Sequence, residues 1–133
     1  MKSLSFLIDT DWVIDHLNGV THVSRRLKEL QPQGLGLSVV SAAELWEGAY
    51  FSRDPKRSQE TLEAFLSGVD TLGLDEEVCK RFGQLRGSMR KRRQTIGDFD
   101  LLIAATALHH NLTLLTNNRK HFDGIAGLKI ESR

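Results

Sequence analysis

The stretch "FLIDTDWVID" at residues 6–15 joins an apolar run to two carboxylates. The run "FLI" is typical of a fully buried strand, since such strands are apolar on both faces. Asp9 and Asp11 follow it closely, and the residues "DWVIDHLNG" then have the pattern of a short helix that ends at Gly19. A buried strand that leads straight into a helix predicts a parallel α/β unit, with both acids just beyond the carboxyl end of its strand.

The same alternation continues along the chain. Strand candidates lie at residues 4–8, 35–40, 69–74, 112–116 and 128–131, and further helical patterns lie at 21–30, 41–50, 54–68, 75–92 and 98–111. Strands that alternate with helices favour right-handed crossovers, and therefore an α/β fold with a mostly parallel sheet of 4–5 strands. In such sheets the functional groups lie outside the carboxyl ends of the strands.

Composition narrows the class of protein. With 133 residues the chain has the size of a single domain, 1–133, and its net charge of +1 gives no overall nucleic-acid signal. The lone cysteine, Cys79, excludes an internal disulfide, and its apolar neighbours predict a buried position on a helix. No apolar stretch approaches the ~20 residues that span a bilayer, and the N-terminus lacks a signal-peptide pattern, so we expect a cytoplasmic protein without membrane contact.

Polar side chains collect where the predicted strands end and the helices begin. They are Asp9 and Asp11 after the first strand, Glu44 after the second, Asp98 and Asp100 at the start of a later helix, and Thr116, Asn117 and Asn118 at the end of the fourth strand. If these places meet at one rim of the sheet, the acids repel one another unless a cation lies between them. Oxygen ligands favour Mg²⁺ or Mn²⁺ over zinc.

Helix capping is an ordinary alternative for each acid, because helix N-termini favour negative charge. Ser41 and Glu44 have the spacing of a capping box. Asp98 and Asp100 lie two residues apart and therefore cannot share a helix face. Asp98 occupies the position of an N-cap, whereas Asp100 shares a side with small alanines, so we favour Asp100 as the metal ligand and Asp98 as the cap.

Four segments, followed by a short "GLKIE" tail, carry a family resemblance in their order and spacing. They are "LIDTD", "SVVSAAELWEGA", "IGDFDLLIAATAL" and "LTLLTNNRKHF". On these segments the chain resembles the PIN-domain ribonucleases, and most of all the VapC-type toxins of bacterial toxin–antitoxin pairs. The resemblance implies a three-layer α/β/α sandwich. It also implies a Mg²⁺-dependent endoribonuclease that cleaves structured RNA, typically tRNA or ribosomal RNA, to a 5′-phosphate and a 3′-hydroxyl.

The resemblance assigns three acids of this chain to catalysis and metal binding: Asp9, Glu44 and Asp100. Asn118 stands where many relatives have a fourth acid, and this difference removes one negative charge from the expected site. Other polar residues around the metal site could replace the missing acid or hold the metal ligands and bound water. These candidates are Asp98, Asp11, Asn118, Thr116 and Thr10.

A basic run lies just before the helix of Asp100. It consists of Arg86, Arg90, Lys91, Arg92 and Arg93. These side chains are candidates for binding RNA phosphates and leading them toward the metal. The alternative is a solvated helix end whose cations complement the helix dipole.

The resemblance also implies partners. A VapB-type antitoxin would block the acidic cleft with its tail, and the chain would form a homodimer that joins a higher complex with that antitoxin. Trp46, Tyr50 and Phe51 are candidate contacts, since aromatic residues are enriched at interfaces, and packing in the core is the alternative for all three. For Trp12 and Trp46, packing in the core is favoured over base stacking. His121, in the loop after the fourth strand, is a further candidate for a catalytic role.

Two other functions fit parts of the pattern. The run "FLIDTDWV" also suits a haloacid-dehalogenase-type phosphatase, in which Asp9 would be a nucleophile that forms a phospho-aspartate. However, no lysine follows a convincing strand before the later acids, and the chain is short for that class. The second alternative is a non-catalytic binding domain whose acids only cap helices.

Overall fold

The computed structural model describes residues 3–133 and places five parallel strands at the centre of these residues. In chain order the elements are β1 (Phe6–Ile8), α1 (Thr10–Leu17), α2 (Thr21–Leu30), a 3-10 turn (Gln31–Gln33), β2 (Leu35–Ser38), α3 (Val39–Tyr50), α4 (Pro55–Leu66), β3 (Asp70–Leu72), α5 (Glu76–Lys91), α6 (Asp98–His109), β4 (Thr113–Leu115), α7 (Arg119–Phe122) and β5 (Ile130–Glu131). The sheet order is β3-β2-β1-β4-β5. The predicted α/β fold with a parallel sheet is therefore confirmed.

The first strand lies in the middle of this sheet. Leu7 of β1 is paired with Gly36 of β2 on one side and with Leu114 of β4 on the other. Each of these strands has only three or four residues, so helices begin almost as soon as the strands end. The carboxyl ends of β1, β2 and β4 consequently meet along one edge of the sheet, which we call the carboxyl edge.

Two hydrophobic cores cover the two faces of the sheet. Ile8 and Leu115 face one core, which also holds Trp12. Leu7 and Leu114 face the other, which also holds Phe122. Successive side chains of a strand point to opposite faces, so both faces of β1 are apolar and both must be covered by helices. This arrangement is the predicted three-layer α/β/α sandwich, with α1–α4 on one face and α5–α7 on the other.

The start of α3 differs from the capping-box prediction. This helix begins at Val39, and its N-cap is Ser38, whose hydroxyl accepts a hydrogen bond of 3.1 Å from the backbone N–H of Val40. Ser41 lies inside the helix, is buried, and its hydroxyl has no hydrogen-bond partner within residues 3–133. The capping box of Ser41 with Glu44 is therefore wrong.

The packing of α5 and α6 corrects one prediction and confirms another. Cys79 is exposed, not buried. On α5 the buried positions are Val78 and Met89. Cys79 follows Val78 directly, so its side chain points about 100° away from that of Val78 around the helix axis. By contrast, the predicted end of α6 is confirmed, because Asn111 has the left-handed φ of 55° typical of a residue just after a helix.

None of the helices found in residues 3–133 combines the length and the hydropathy that crossing a membrane requires.

The corrected helix start predicts opposite effects for two serines. Ser38→Ala removes the N-cap of α3 and should lower the free energy of unfolding by about 1 kcal/mol. Ser41→Ala removes a buried hydroxyl without a partner, so we expect unchanged or slightly higher stability. Urea denaturation of the two variants beside the parent chain checks this. A larger loss for Ser41→Ala than for Ser38→Ala would contradict the observed helix start.

Candidate active site

Asp9 is the most buried acid at the carboxyl edge. Its side chain follows β1 and caps α1, and only 4% of the residue is exposed. One carboxylate oxygen accepts a 2.8 Å hydrogen bond from the backbone N–H of Thr10, and the other accepts one of 2.7 Å from the hydroxyl of Thr116. Asp9 is thus held by the ends of two neighbouring strands.

The surroundings of Asp9 oppose its ionisation. Burial raises the pKa of Asp9 to about 6, and the negative charges of Asp11 and Asp100 contribute in the same direction. The hydrogen bonds from Thr116 and Thr10 lower this pKa and only partly offset the burial. A carboxylate in such a position has a clear need for a compensating positive charge.

Glu44 is connected to this edge through its neighbour on α1. The hydroxyl of Thr10 donates a 3.0 Å hydrogen bond to one carboxylate oxygen of Glu44, across the gap between α1 and α3. Glu44 also lines a groove of about 440 Å³ between α1, α3 and α4, together with apolar side chains such as Leu45 and Leu62. Thr10 therefore contacts two of the predicted acids, Asp9 through its backbone N–H and Glu44 through its hydroxyl.

Asp100 is held by a residue from a different part of the chain. It lies in the first turn of α6 and has a 2.8 Å contact between its carboxylate and Nδ1 of His121 on α7. Its side chain is 28% exposed, compared with 55% for His121. The imidazole thus fixes one oxygen of Asp100 and partly covers it.

Asp11 lies close enough to Asp9 for its negative charge to raise the pKa of that carboxyl. Its role beside the metal ligands stays a prediction. Burial also raises the pKa of Asp11 itself. Its two oxygens accept hydrogen bonds of 2.9 Å from the backbone N–H groups of Trp12 and Asn117. Asp11 therefore fastens the loop after β4 to α1.

Asp98 does not cap α6. The N-cap is Gly97, and Asp98 is the first helical residue, with its side chain bonded to Arg86 of α5. The Asp98 side of this ion pair is 74% exposed, whereas the Arg86 side chain is 17% exposed. The prediction of Asp98 as the cap is wrong, and its side chain is engaged on the α5 side of α6.

The basic run of α5 divides into two parts. Arg86 is largely covered and also donates to the backbone carbonyl of Ile96 at 3.2 Å, so it holds the α5–α6 connection. The remaining members are exposed at the end of α5, namely Arg90, Lys91, Arg92 and Arg93. Their binding of RNA stays a prediction.

The loop after β4 contains contacts that the sequence did not indicate. The indole N–H of the fully buried Trp12 donates to the side-chain oxygen of Asn117 at 3.1 Å, and the backbone N–H of Asn118 donates to the Thr116 hydroxyl at 3.0 Å. Trp12 is a core residue, as expected, but its polar end holds this loop. The only local signal was the run of polar residues after a buried strand.

The donor set fits a hard divalent cation held partly through water. Within residues 3–133, the one group of three His, Cys, Asp or Glu side chains whose ligand atoms all lie within 4.8 Å is Asp75, His109 and His110, at the other end of α6. Asp9, Glu44 and Asp100 therefore do not form a closed cage. Mg²⁺ keeps several of its waters and needs only one or two direct carboxylates, and the buried charge of Asp9 is the feature that favours it.

Comparison with known proteins identifies the family of this chain. The family model of the PIN domain matches residues 6–128. The tRNA(fMet)-specific endonuclease VapC of Shigella flexneri is 30% identical over 128 residues, which cover 96% of this chain and 97% of that protein. Ribonuclease VapC1 of Methanocaldococcus jannaschii is 33% identical over 126 residues, covering 93% and 85%.

Solved structures give the same assignment. A chain in the crystal structure of VapBC2 from Rickettsia felis bound to a DNA fragment from their promoter superposes with a TM-score of 0.91 at 28% identity, covering 98% of this chain and 99% of that one. The protein therefore belongs to the PIN domain family of nucleases, in the VapC group that these relatives define. This membership leaves the phosphatase alternative without support.

Removing the charge of Asp9 should stabilise the metal-free chain. The pKa of this group is about 6 in the folded chain against 3.8 in the unfolded one, so the unfolded state binds fewer protons between these values and stability falls as pH rises through this window. Asp9→Asn avoids this loss, and we expect a gain of up to about 3 kcal/mol at pH 8 in EDTA.

Chemical denaturation of both proteins across this pH range checks the prediction. The gain should shrink toward zero below about pH 4, where Asp9 is protonated in both states. An Asp9→Asn variant that is less stable than the parent at pH 8 would show that the carboxylate does not carry the burial cost described here.

Proposed function

We propose that this protein is a Mg²⁺-dependent endoribonuclease, the toxin of a toxin–antitoxin pair, which acts on structured RNA such as tRNA or ribosomal RNA in the cytoplasm. The observation that carries the proposal is the buried Asp9 carboxylate, with the charge of Asp100 acting on it, at the carboxyl edge of a PIN domain. The names of the VapC relatives, an endonuclease and a ribonuclease, support the same activity.

The acids of the carboxyl edge would hold the cation. Asp9 and Asp100 are the proposed direct ligands, and Glu44 would act through a bound water. When bound, Mg²⁺, or Mn²⁺ in its place, lowers the pKa of a coordinated water and stabilises negative charge on the scissile phosphate.

The chain's own residues contribute orientation. Thr116 and the backbone of Thr10 fix both oxygens of Asp9, while the Thr10 hydroxyl fixes one oxygen of Glu44. Groups held in this way lose little further freedom when the substrate binds, which is how positioning lowers a barrier. In the hydrolysis, the water oxygen bonds to phosphorus as the bond to the 3′-oxygen breaks. That oxygen takes up a proton, so the products are a 5′-phosphate and a 3′-hydroxyl.

Cleavage of RNA should depend on the two proposed direct ligands. Asp9→Asn and Asp100→Asn should each lower the rate of tRNA or ribosomal RNA cleavage by at least about 100-fold, because each removes a negative ligand. Asp70→Asn, the same change at an exposed acid on the edge strand β3, is the matched control and should cleave like the parent. Gel analysis with mapping of the RNA ends measures the rates and the products.

The same assay tests the metal. EDTA should stop cleavage by the parent chain, and Mg²⁺ or Mn²⁺ should restore it. Cleavage that survives both substitutions, or activity confined to phosphomonoesters, would overturn the ribonuclease proposal.

We also propose a VapB-type antitoxin as partner and a homodimer as the assembly of the free chain. The related chains from Rickettsia felis and Salmonella typhimurium were solved as VapBC with DNA. Two aromatic side chains at the end of α3 are open to contact, with Tyr50 56% and Phe51 86% exposed. Exposed aromatic residues of this size are enriched at interfaces.

The dimer proposal predicts the behaviour of the purified chain. The parent should elute from gel filtration with the mass of two chains, and Tyr50→Ser with Phe51→Ser should shift it toward one if this surface is the contact. A product of the neighbouring open reading frame that binds the chain and stops cleavage would support the antitoxin. A parent chain that elutes as a monomer at all concentrations would contradict the dimer.

A further inference from the structure

A second cavity lies beside the acids, between the loop after β4 and the last residues of the chain. It has a volume of about 490 Å³ and is lined by the cations Arg119, Lys120 and Arg133, by His121, and by the amides of Asn117 and Asn118. Among residues 3–133, no acidic side chain lines it. This volume lies in the range of sites that bind small molecules.

The walls of this cavity are fixed to the catalytic edge. His121 contacts the carboxylate of Asp100 at 2.8 Å, so one wall touches a proposed metal ligand. On the other side, Thr116 bonds both to Asp9 and to the backbone N–H of Asn118. The cavity and the acids therefore share contact residues. Neighbouring phosphates of one RNA strand could occupy the cavity and the acidic site.

The far wall is also held in place. The Ser132 hydroxyl donates to the backbone carbonyl of Thr116 at 2.6 Å, and the backbone N–H of Arg133 donates to the side-chain oxygen of Asn117 at 2.8 Å. The guanidinium of Arg119 donates to the Ser132 hydroxyl at 3.2 Å. These bonds join the two sides of the cavity before any ligand arrives, which reduces the ordering cost of binding.

Among the cations that line the cavity, Lys120 is the one most available to bind a ligand. Arg133 is paired with Glu131 at 3.3 Å, and Arg119 is partly used by Ser132. Lys120 has no ion pair within residues 3–133, and its ammonium is a mobile point charge suited to a phosphate. The groove beside Glu44, by comparison, is lined by two acids, Glu44 and Asp54, and by one cation, Arg57, so it offers a phosphate less positive charge.

We infer that this cavity, which we call the Lys120 cavity, binds the backbone of the substrate RNA one nucleotide away from the scissile phosphate, with Lys120 and Arg119 contacting phosphate oxygens. The inference rests on the proposed ribonuclease function. It adds the path that the RNA strand takes on one side of the acidic site. It differs from the sequence-based prediction, which placed the RNA contacts on the basic run of α5.

Salt-dependent binding provides the test. Affinity for a fluorescently labelled single-stranded RNA is measured by anisotropy in EDTA, with every protein carrying Asp9→Asn so that the RNA stays intact. Each phosphate contact that is lost should reduce the slope of log affinity against log salt by about 0.7. We expect this reduction for Lys120→Gln and about twice as much for Arg119→Gln with Lys120→Gln.

Two further variants complete the design. Arg53→Gln with Lys56→Gln removes the same charge from exposed positions around the start of α4 and should leave the slope unchanged. Arg90→Gln with Arg92→Gln tests the rival surface on α5. Because Lys120 is exposed and forms no ion pair with the described residues, its variant should fold normally, which circular dichroism and thermal melting verify.

The outcomes separate the two proposals. An unchanged slope for both cavity variants, or a loss confined to the α5 variant, overturns the Lys120 cavity even if the parent chain cleaves RNA. A reduced slope in the cavity variants supports it even if the parent shows no cleavage. In the active chain, Lys120→Gln should raise KM several-fold and change kcat by less than about twofold. A lower kcat at unchanged KM would contradict a role in binding.

Discussion

The hydrogen bond from the Thr116 hydroxyl to the buried carboxylate of Asp9 joins the ends of the two central strands. Asp9 follows β1, Thr116 follows β4, and the backbone N–H of Asp9 also donates to the carbonyl of Leu115 at 2.9 Å. Because the strands are so short, this junction decides where α1 and the loop after β4 begin. The polar groups that directly follow these two strands are positioned by it.

The buried carboxylate of Asp9 lowers the stability of the fold but provides a charge for the proposed chemistry. A charged Asp9 costs stability in the absence of a cation, and the hydrogen bonds around it reduce that cost without removing it. Such a group is retained in a core only where its charge is used, which is why strained or desolvated residues concentrate at functional sites. Helix capping accounts for the hydrogen bond that Asp9 accepts from Thr10, but it does not account for the burial of the charge, which the proposed metal binding would use.

Local patterns in the sequence were enough to predict the parallel sheet. A buried run followed by an acid predicts Asp9 at the carboxyl edge, since parallel strands all end there. Asp100 follows a polar stretch and opens a helix, so its predicted role depends on the family resemblance as well. The start of α3 was misjudged because Val39 and Val40 favour a strand by propensity, while the packing of Val40 into the second core favours the helix. Propensity is a weak guide where tertiary packing opposes it.

The contacts that complete the site connect residues far apart in sequence. His121 reaches Asp100 across 21 positions, and Trp12 reaches Asn117 across 105. No periodicity within one helix or strand records such pairs, so sequence alone could identify these residues but not their partners. The exposure of Cys79 was missed for a related reason, because the buried face of α5 is set by α6, which follows it.

The bond between Trp12 and Asn117 has a practical consequence. The indole ring is wholly buried in the core, yet its N–H ends at the loop that borders both the acids and the Lys120 cavity. Indole emission responds to the polarity and hydrogen bonding around the ring, and Trp46 is the only other tryptophan of the chain. With Trp46 replaced by Phe, the protein therefore carries an intrinsic optical reporter, in which Trp12 fluorescence follows the state of this loop without any added dye.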